Sequence, residues 1–416
     1  MAASSLVARR SVARHREISV HITSVECILT APAGVGLAVV KVTTSEPGLY
    51  GLGCATFTQR LLAVRTVVDD YLAPLLAGRD PQRIEDIWQL VYQNAYWRNG
   101  PVLNNALSGV DQALWDIKGK AAGMPLYQLL GGKMRDGAAT YAHADGRDPQ
   151  EVLDRVLELQ ASGLRHVRCQ MGGYGGVGGT QESHTFDPAR YARSVPELFE
   201  SLRGSLGFEL ELLHDVHERL APIEAVRLAK ELEPYRLFYL EDPVAPEDQP
   251  WLRELRSQTA TPIALGELFT HPLEWREPIA ARLIDFIRVH ISDIGGLTPA
   301  RKLSALAESF GVRTAFHGPA DVSPVGHAAN VHLDVTLPNF GIQEFTGFPD
   351  VLREVFPGGP ELRDGSLYPG DGPGLGIDID EQLAQRFPLH DDMAQFDKGV
   401  VDWTQARKPD GSLARP

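Results

Sequence analysis

Between residues 164 and 318 the chain repeats one unit: a short apolar run, a polar or charged residue at its end, then a stretch with helical periodicity. The runs are "LRHVRCQ" (164–170), "FELELLHD" (208–215), "RLFYLED" (236–242), "PIALGE" (262–267), "IDFIRVHI" (284–291) and "VRTAFHG" (312–318). Runs of this length and composition read as buried strands. The intervening segments carry helical spacing, as at Ile223, Val226, Ala229 and Leu232. Strand and helix alternating at about 25 residues per repeat predict a parallel α/β sheet covered by helices, and six or more repeats favour closure into a barrel. A doubly wound open sheet is the competing arrangement. In either, the loops after the strands carry the chemistry.

The chain ahead of these repeats is patterned differently. From about Ile18 to Thr44, "ISVHITSVECIL" and "LAVVKVTT" alternate as strands around a turn at Pro32–Gly36. Helical periodicity follows over 60–77 and 104–121. In the second stretch Ala106, Val110, Ala113, Leu114, Ile117 and Ala121 recur three or four apart, and Gly123 and Pro125 end it. The chain therefore divides into a basic N-terminal extension (1–17), an α+β domain (18–135), a barrel domain (136–355) and a return segment rich in Gly and Pro (356–416) that packs on the first domain. The first sixteen residues carry Arg9, Arg10, Arg14 and Arg16 and no acid, yet lack the apolar stretch of a secretory signal.

Forty basic and fifty-four acidic side chains leave a net charge of −14, which disfavours nucleic acid or an anionic membrane as the main partner. No apolar run reaches membrane-spanning length. Cys27, Cys54 and Cys169 are odd in number and far apart. That fits a reducing, cytoplasmic setting and argues against a thiolate zinc site.

Asp215, Glu241 and Glu267 each follow an apolar run, 26 residues apart. At successive strand ends of a barrel they would stand side by side on one rim. Three carboxylates that close repel one another unless a cation lies between them, and hard oxygen ligands with room for water suit Mg²⁺; calcium and manganese take the same ligand types. Helix N-caps or surface ion pairs are the plainer roles for each residue alone. His217, two residues past Asp215, is placed to exchange protons or hold a substrate hydroxyl in the same mouth. His317, with Asp321 close behind, ends another strand as a polar substrate contact or a packed histidine. Arg288, inside an apolar run, needs an anion, either a substrate carboxylate or one of the acids. Arg168 and Gln170 alternate with apolar neighbours and face the mouth, and Tyr174 can reach it from the loop that follows. That loop, Gly-Tyr-Gly-Gly-Val-Gly at 173–178, matches GxGxxG. No helix opens behind it and no Walker lysine follows, so it reads as an active-site loop, not a dinucleotide site.

From about residue 20 to 380 the chain resembles the enolase superfamily, and within it the mannonate dehydratase group of acid-sugar dehydratases. The resemblance is carried by "IEDIWQLVYQNAYWRNGPV" (84–102), "GVDQALWDIKGKAAGMPLYQLLGG" (109–132), "YAHADG" (141–146), "LLHDVHERLAPIEA" (212–225), "LEPYRLFYLEDPVAPEDQ" (232–249), "GELF" (266–269) and "PNFGIQEF" (338–345). It implies a modified (β/α)7β TIM-type barrel under an α+β capping domain, with Mg²⁺ held at Asp215, Glu241 and Glu267. It also implies α-proton abstraction beside a carboxylate, a metal-stabilised enediolate, and loss of the β-hydroxyl as water to leave a 2-keto-3-deoxy sugar acid. Tyr174, paired with Arg168, matches the base and His217 the acid; His143, Arg288, His317 and Glu344 fall on substrate-contacting positions. Where racemases of the superfamily carry Lys-x-Lys, this chain has Arg168-Cys169-Gln170. The loop after Arg168 is shorter than the group's. The substrate class so implied is an aldonate such as D-mannonate or D-gluconate, acted on by a homo-oligomer. An epimerase or racemase on a related acid, and a catalytically silent sugar-acid binder, are the alternative functions.

Overall fold

The computed structural model describes residues 20–172, 185–389 and 406–415. It opens with an antiparallel sheet of β1 (Ile22–Thr30), β2 (Leu37–Thr44) and β3 (Tyr50–Cys54), in that order. Helices α1 (Leu61–Thr66), α2 (Ala73–Leu76), α3 (Ile84–Asn94), α4 (Pro101–Ala122) and α5 (Leu126–Leu129) follow. A π-helical turn, Val67–Leu72, joins α1 to α2, so the helix expected over 60–77 is one irregular rod. α4 stops at Gly123, whose φ of 63° is the left-handed conformation that ends helices.

α4 lies directly on β3. A Cβ on Gly53 would sit 2.0 Å from the Gly109 carbonyl oxygen, so only glycine permits the approach. β3 is the edge of its sheet, and the helix supplies the acceptors a further strand would have offered. Leu52 N–H donates to Asp116 Oδ2 (3.0 Å) and Cys54 N–H to Gln112 Oε1 (3.1 Å). The apolar positions Ala106, Val110, Ala113, Leu114 and Ile117 are buried as their spacing predicts. Ala121 is exposed, and polar Ser108, Gln112 and Asp116, four apart, are buried because they serve that edge.

The barrel strands are β4 (Ala138–Gly146), β5 (His166–Met171), β6 (Glu211–Asp215), β7 (Tyr239–Glu241), β8 (Ile263–Leu265), β9 (Phe286–Ile287), β10 (Arg313–Thr314) and β11 (Gln343–Glu344). Each connection from β4 to β11 contains a helix: α6 (Pro149–Ala161), α7 (Pro188–Leu206), α8 (Pro222–Glu231), α9 (Leu252–Gln258), α10 (Pro272–Ala280), α11 (Leu297–Ser309) and α12 (Pro324–Asp334). Neighbours from β4 through β10 pair in parallel. β11 pairs with β4, and Phe340, just before it, bridges to Thr314. The sheet is thus closed as a (β/α)7β barrel and not open. β9 and β10 are shorter than their apolar runs because the runs continue into buried loops; Val289, Ile291 and Phe316 lie beyond the strand ends and are fully buried.

A hairpin, β12 (Glu361–Arg363) and β13 (Ser366–Tyr368), pairs antiparallel with the start of β4. The chain then crosses the first domain: Leu375 N–H donates to Asp116 Oδ1 (2.8 Å), the Tyr50 hydroxyl to Asp378 (2.7 Å) and Ala31 N–H to the Phe387 carbonyl (2.8 Å). Residues 406–415 lie on the barrel side, where Phe186 N–H donates to the Arg407 carbonyl (2.8 Å) and Arg415 pairs with Asp248 (2.6 Å). Cys27, Cys54 and Cys169 are free. Among the described residues no helix is long and apolar enough to cross a membrane.

α4 also joins cap to barrel. Asp111 accepts from the Thr298 N–H (2.9 Å) and hydroxyl at the start of α11. Burial raises its pKa to about 7 against the opposing pull of these donors. Since the folded pKa exceeds the unfolded one, the folded state holds the extra proton, and this contribution to stability is full below about pH 4 and lost as pH rises through 7. Wild type is expected to lose about 3 kcal/mol between pH 5 and 8 relative to Asp111→Asn. Urea titrations of both proteins across that range check this; parallel pH profiles would contradict it.

Candidate active site

The barrel's strand ends gather the acids and bases singled out in the sequence. Register sets the row: His143 on β4 lies opposite Arg168 on β5, and Asp215 at the end of β6 opposite Glu241 at the end of β7. Glu267 follows β8, Arg288 follows β9, His317 follows β10, and Glu344 ends β11. Above them is a cavity of about 530 Å³ whose wall includes His143, Arg168, Asp215, His217, Glu267 and Glu344. His317 and Asp321 also line it, as does the cap, through Val35 and the segment Thr56–Gln59.

Glu241, Arg288 and Gln170 lie beneath that surface. Gln170 is fully buried and donates from its amide to the Asp215 carbonyl (2.8 Å), so it holds the strand end and lines no part of the cavity. Arg288, also fully buried, places Nη1 2.6 Å from Glu267 Oε2 and Nε 3.0 Å from Glu241 Oε1; Nη2 binds Glu344. Its anions are therefore three acids of the protein. Glu241 and Glu344 hold its pKa well above the ordinary value although burial opposes the charge. Tyr174 and the GxGxxG segment lie outside the described residues.

Arg168 is the second cation. Its Nη1 donates to Asp215 Oδ2 (3.1 Å) and lies 3.8 Å from Glu241 Oε1 and 3.7 Å from Glu344 Oε1. Its Nη2 donates to His143 Nδ1 (3.0 Å), which leaves that ring proton on Nε2, facing Glu344 Oε1 at 2.6 Å. Burial, and then Arg168, lower the His143 pKa and keep the ring neutral. Burial opposes ionisation of Asp215, but His217, Arg168 and Arg288 outweigh it and hold the carboxyl below its usual range. Glu344 is held well below, against burial, chiefly by Arg288 and His143. Burial pushes Glu241 well above its usual range in spite of Arg288.

The positions of these acids could hold a cation. Ligand oxygens of Asp215, Glu241 and Asp242 lie within 4.8 Å of one another. Glu241 Oε1 is buried and accepts no hydrogen bond from the described residues, Arg288 Nε being close without the required alignment. Glu267, the third acid expected here, reaches the same rim but is held by Arg288 and stands 3.5 Å from His317 Nε2. Hard carboxylate oxygens, one of them without a donor, fit a divalent cation such as Mg²⁺.

Other lining residues were not singled out in the sequence. Asp242 and Glu218 directly follow Glu241 and His217, and His290 is two residues past Arg288, so adjacency and strand alternation were the available signals. His290 Nδ1 accepts the Ser292 N–H (3.1 Å), which leaves its ring proton on Nε2. His290, His317 and Asp321 could form a second ligand cluster by distance. The protonated Nε2 of His290 suits a hydrogen-bond donor better than a metal ligand.

Residues 10–131 match the mandelate racemase/muconate lactonizing enzyme N-terminal domain, and residues 151–383 the enolase C-terminal domain-like family. A D-galactonate dehydratase family member from Musicola paradisiaca is 57% identical, covering 95% of this chain and 99% of its own length. One from Salmonella enteritidis is 56% identical, with 95% and 98% covered. The crystal structure of a protein from Pantoea ananatis described as an enolase, with bound D-gluconate and magnesium, superposes with a TM-score of 0.91 at 54% identity, covering 96% of this chain and all of that one. Both relatives carry the D-galactonate dehydratase family name, which is compatible with the resemblance to the acid-sugar dehydratases. With both domains matched in order and most of the chain covered, this protein belongs to the enolase superfamily and, within it, to the D-galactonate dehydratase family.

Proposed function

We propose that this protein is a Mg²⁺-dependent dehydratase that converts an aldonate, D-gluconate or D-mannonate, into its 2-keto-3-deoxy acid. The observation that carries this reading is the row of Asp215, Glu241 and Glu267 at consecutive strand ends, with the buried Glu241 oxygen lacking a donor among the described residues. The bound D-gluconate and magnesium of the Pantoea structure support both the ion and the substrate class. Mg²⁺ bound by these three acids would supply positive charge where negative charge develops on the substrate carboxylate.

The chain's own residues would do the rest. A proton α to a carboxylate leaves slowly, so the base must be close and its conjugate acid must not be too weak. Tyr174, the residue that the family resemblance pairs with Arg168, would take this part. His217 is held near Asp215 by its own N–H, which donates to Asp215 Oδ1 (2.7 Å), and its left-handed backbone (φ 53°) turns it at the strand end. It would give a proton to the leaving β-hydroxyl. The neutral His143, with Glu344, His317 and Asp321, offers donors and acceptors for the remaining hydroxyls.

Incubating the full chain with Mg²⁺ and a panel of aldonic acids in D₂O tests the reading. A 2-keto acid is expected from D-gluconate or D-mannonate, dependent on the metal. Deuterium at C2 of recovered acid with no keto product would make the protein an epimerase or racemase instead. Binding without either change would make it a sugar-acid binder.

A further inference from the structure

The acid that follows Glu241 is tied to the loops on either side of it. Asp242 is fully buried at the cavity wall and has left-handed backbone, with φ of 37°, a conformation that asparagine and aspartate tolerate better than other side chains. Its N–H donates to the Ala264 carbonyl on β8 (2.9 Å), and its carbonyl accepts the Glu218 N–H (2.9 Å) in the loop that carries His217. Its side-chain Oδ1 accepts the Gly266 N–H (3.1 Å). Gly266 directly precedes Glu267 and has φ of 132°, where an added Cβ would meet Phe269 at 3.0 Å and Ile287 at 3.1 Å. The chain turns at Gly266, off the end of β8, and the amide released by that turn is the one Asp242 takes.

We propose that Asp242 is a positioning residue for the metal-facing carboxylates: its side chain fixes the turn that presents Glu267, and its backbone fixes the loop that presents His217. The inference rests on the Mg²⁺ reading of this site only for its consequence, tighter ion binding; the fixed turn itself exists without the ion. The competing role is direct ligation, since an Asp242 oxygen lies within 4.8 Å of those of Asp215 and Glu241. The two roles make different demands. Positioning needs an acceptor at Oδ1 and tolerance of left-handed backbone, both of which asparagine retains, and its NH₂ would then face neighbouring carboxylates as a donor. Ligation needs the negative charge, which asparagine lacks.

Two measurements on wild type, Asp242→Asn and Asp242→Gly test this. Glycine removes the acceptor without the backbone strain that alanine would add, so a loss in Asp242→Gly reports the side chain. In the metal-free proteins, deuterium exchange of the 265–269 peptide is expected to be at least about tenfold faster in Asp242→Gly and close to wild type in Asp242→Asn. In calorimetric titrations with MgCl₂, Asp242→Gly is expected to bind about 10-fold to 100-fold more weakly, the usual range for residues that orient metal ligands, and Asp242→Asn within about threefold of wild type. Unchanged exchange in Asp242→Gly would overturn the proposal, as would Mg²⁺ binding lost equally in Asp242→Asn and Asp242→Gly. Failure of wild type to bind Mg²⁺ while the exchange pattern holds would overturn the metal reading and leave the positioning role supported.

Discussion

Glu241→Gln is expected to lower kcat/KM for the aldonate by about 10³, equivalent to about 4 kcal/mol of transition-state stabilisation, and to weaken Mg²⁺ binding by about 100-fold or more. Glu241 stands between Asp215 and Glu267 in the row of strand ends, and its Oε1 has no hydrogen-bond donor among the described residues. The substitution keeps the size and removes the charge. Arg288 and Arg168 would still face Asp215, Glu267 and Glu344, so the barrel should retain its folded circular dichroism. Steady-state assays with varied Mg²⁺, alongside calorimetry, separate the two effects. Activity within tenfold of wild type at saturating Mg²⁺ would remove Glu241 from the metal site and, with it, the proposed chemistry.

The parts of this site that could be read from sequence are those that sit where the repeat itself puts them. A strand buried on both faces is largely apolar, so an acid at its C-terminal end marks the rim. That rule selects Asp215, Glu241 and Glu267, and the equal spacing follows from one strand and one helix per repeat. Polar residues buried by contact between distant segments leave no such mark. Ser108, Gln112 and Asp116 look like the solvent face of α4 until β3 is seen to present its unpaired N–H groups to Asp116 and Gln112 and the Cys54 carbonyl to Ser108. Arg288 was legible as a buried cation but its partners were not, because the choice between substrate and protein acids depends on the barrel's curvature bringing Glu344 back beside Glu267. Asp242 was hidden for a third reason: its task depends on the φ of Gly266, a backbone property that no periodicity reports.

The choice of partners for Arg288 leads to the second large effect. Arg288→Met is expected to destabilise the protein by about 3–5 kcal/mol, the range found when one member of a buried ion pair is removed. The methionine fills much of the space but leaves Glu241, Glu267 and Glu344 without their shared cation. At a few degrees per kcal/mol for a domain of this size, the melting temperature should fall by about 10 °C in metal-free buffer. The loss should be recovered in part by Mg²⁺. A ligand that binds the folded state stabilises it by mass action, and a divalent cation among these carboxylates also offsets the repulsion that the lost guanidinium had balanced. Mg²⁺ should therefore raise the melting temperature of Arg288→Met more than that of wild type, whereas an equal concentration of NaCl should not. A variant that melts within about 2 °C of wild type without metal would mean that the three acids are protonated or solvated in the folded protein, and that Arg288 does not hold the floor of the site together.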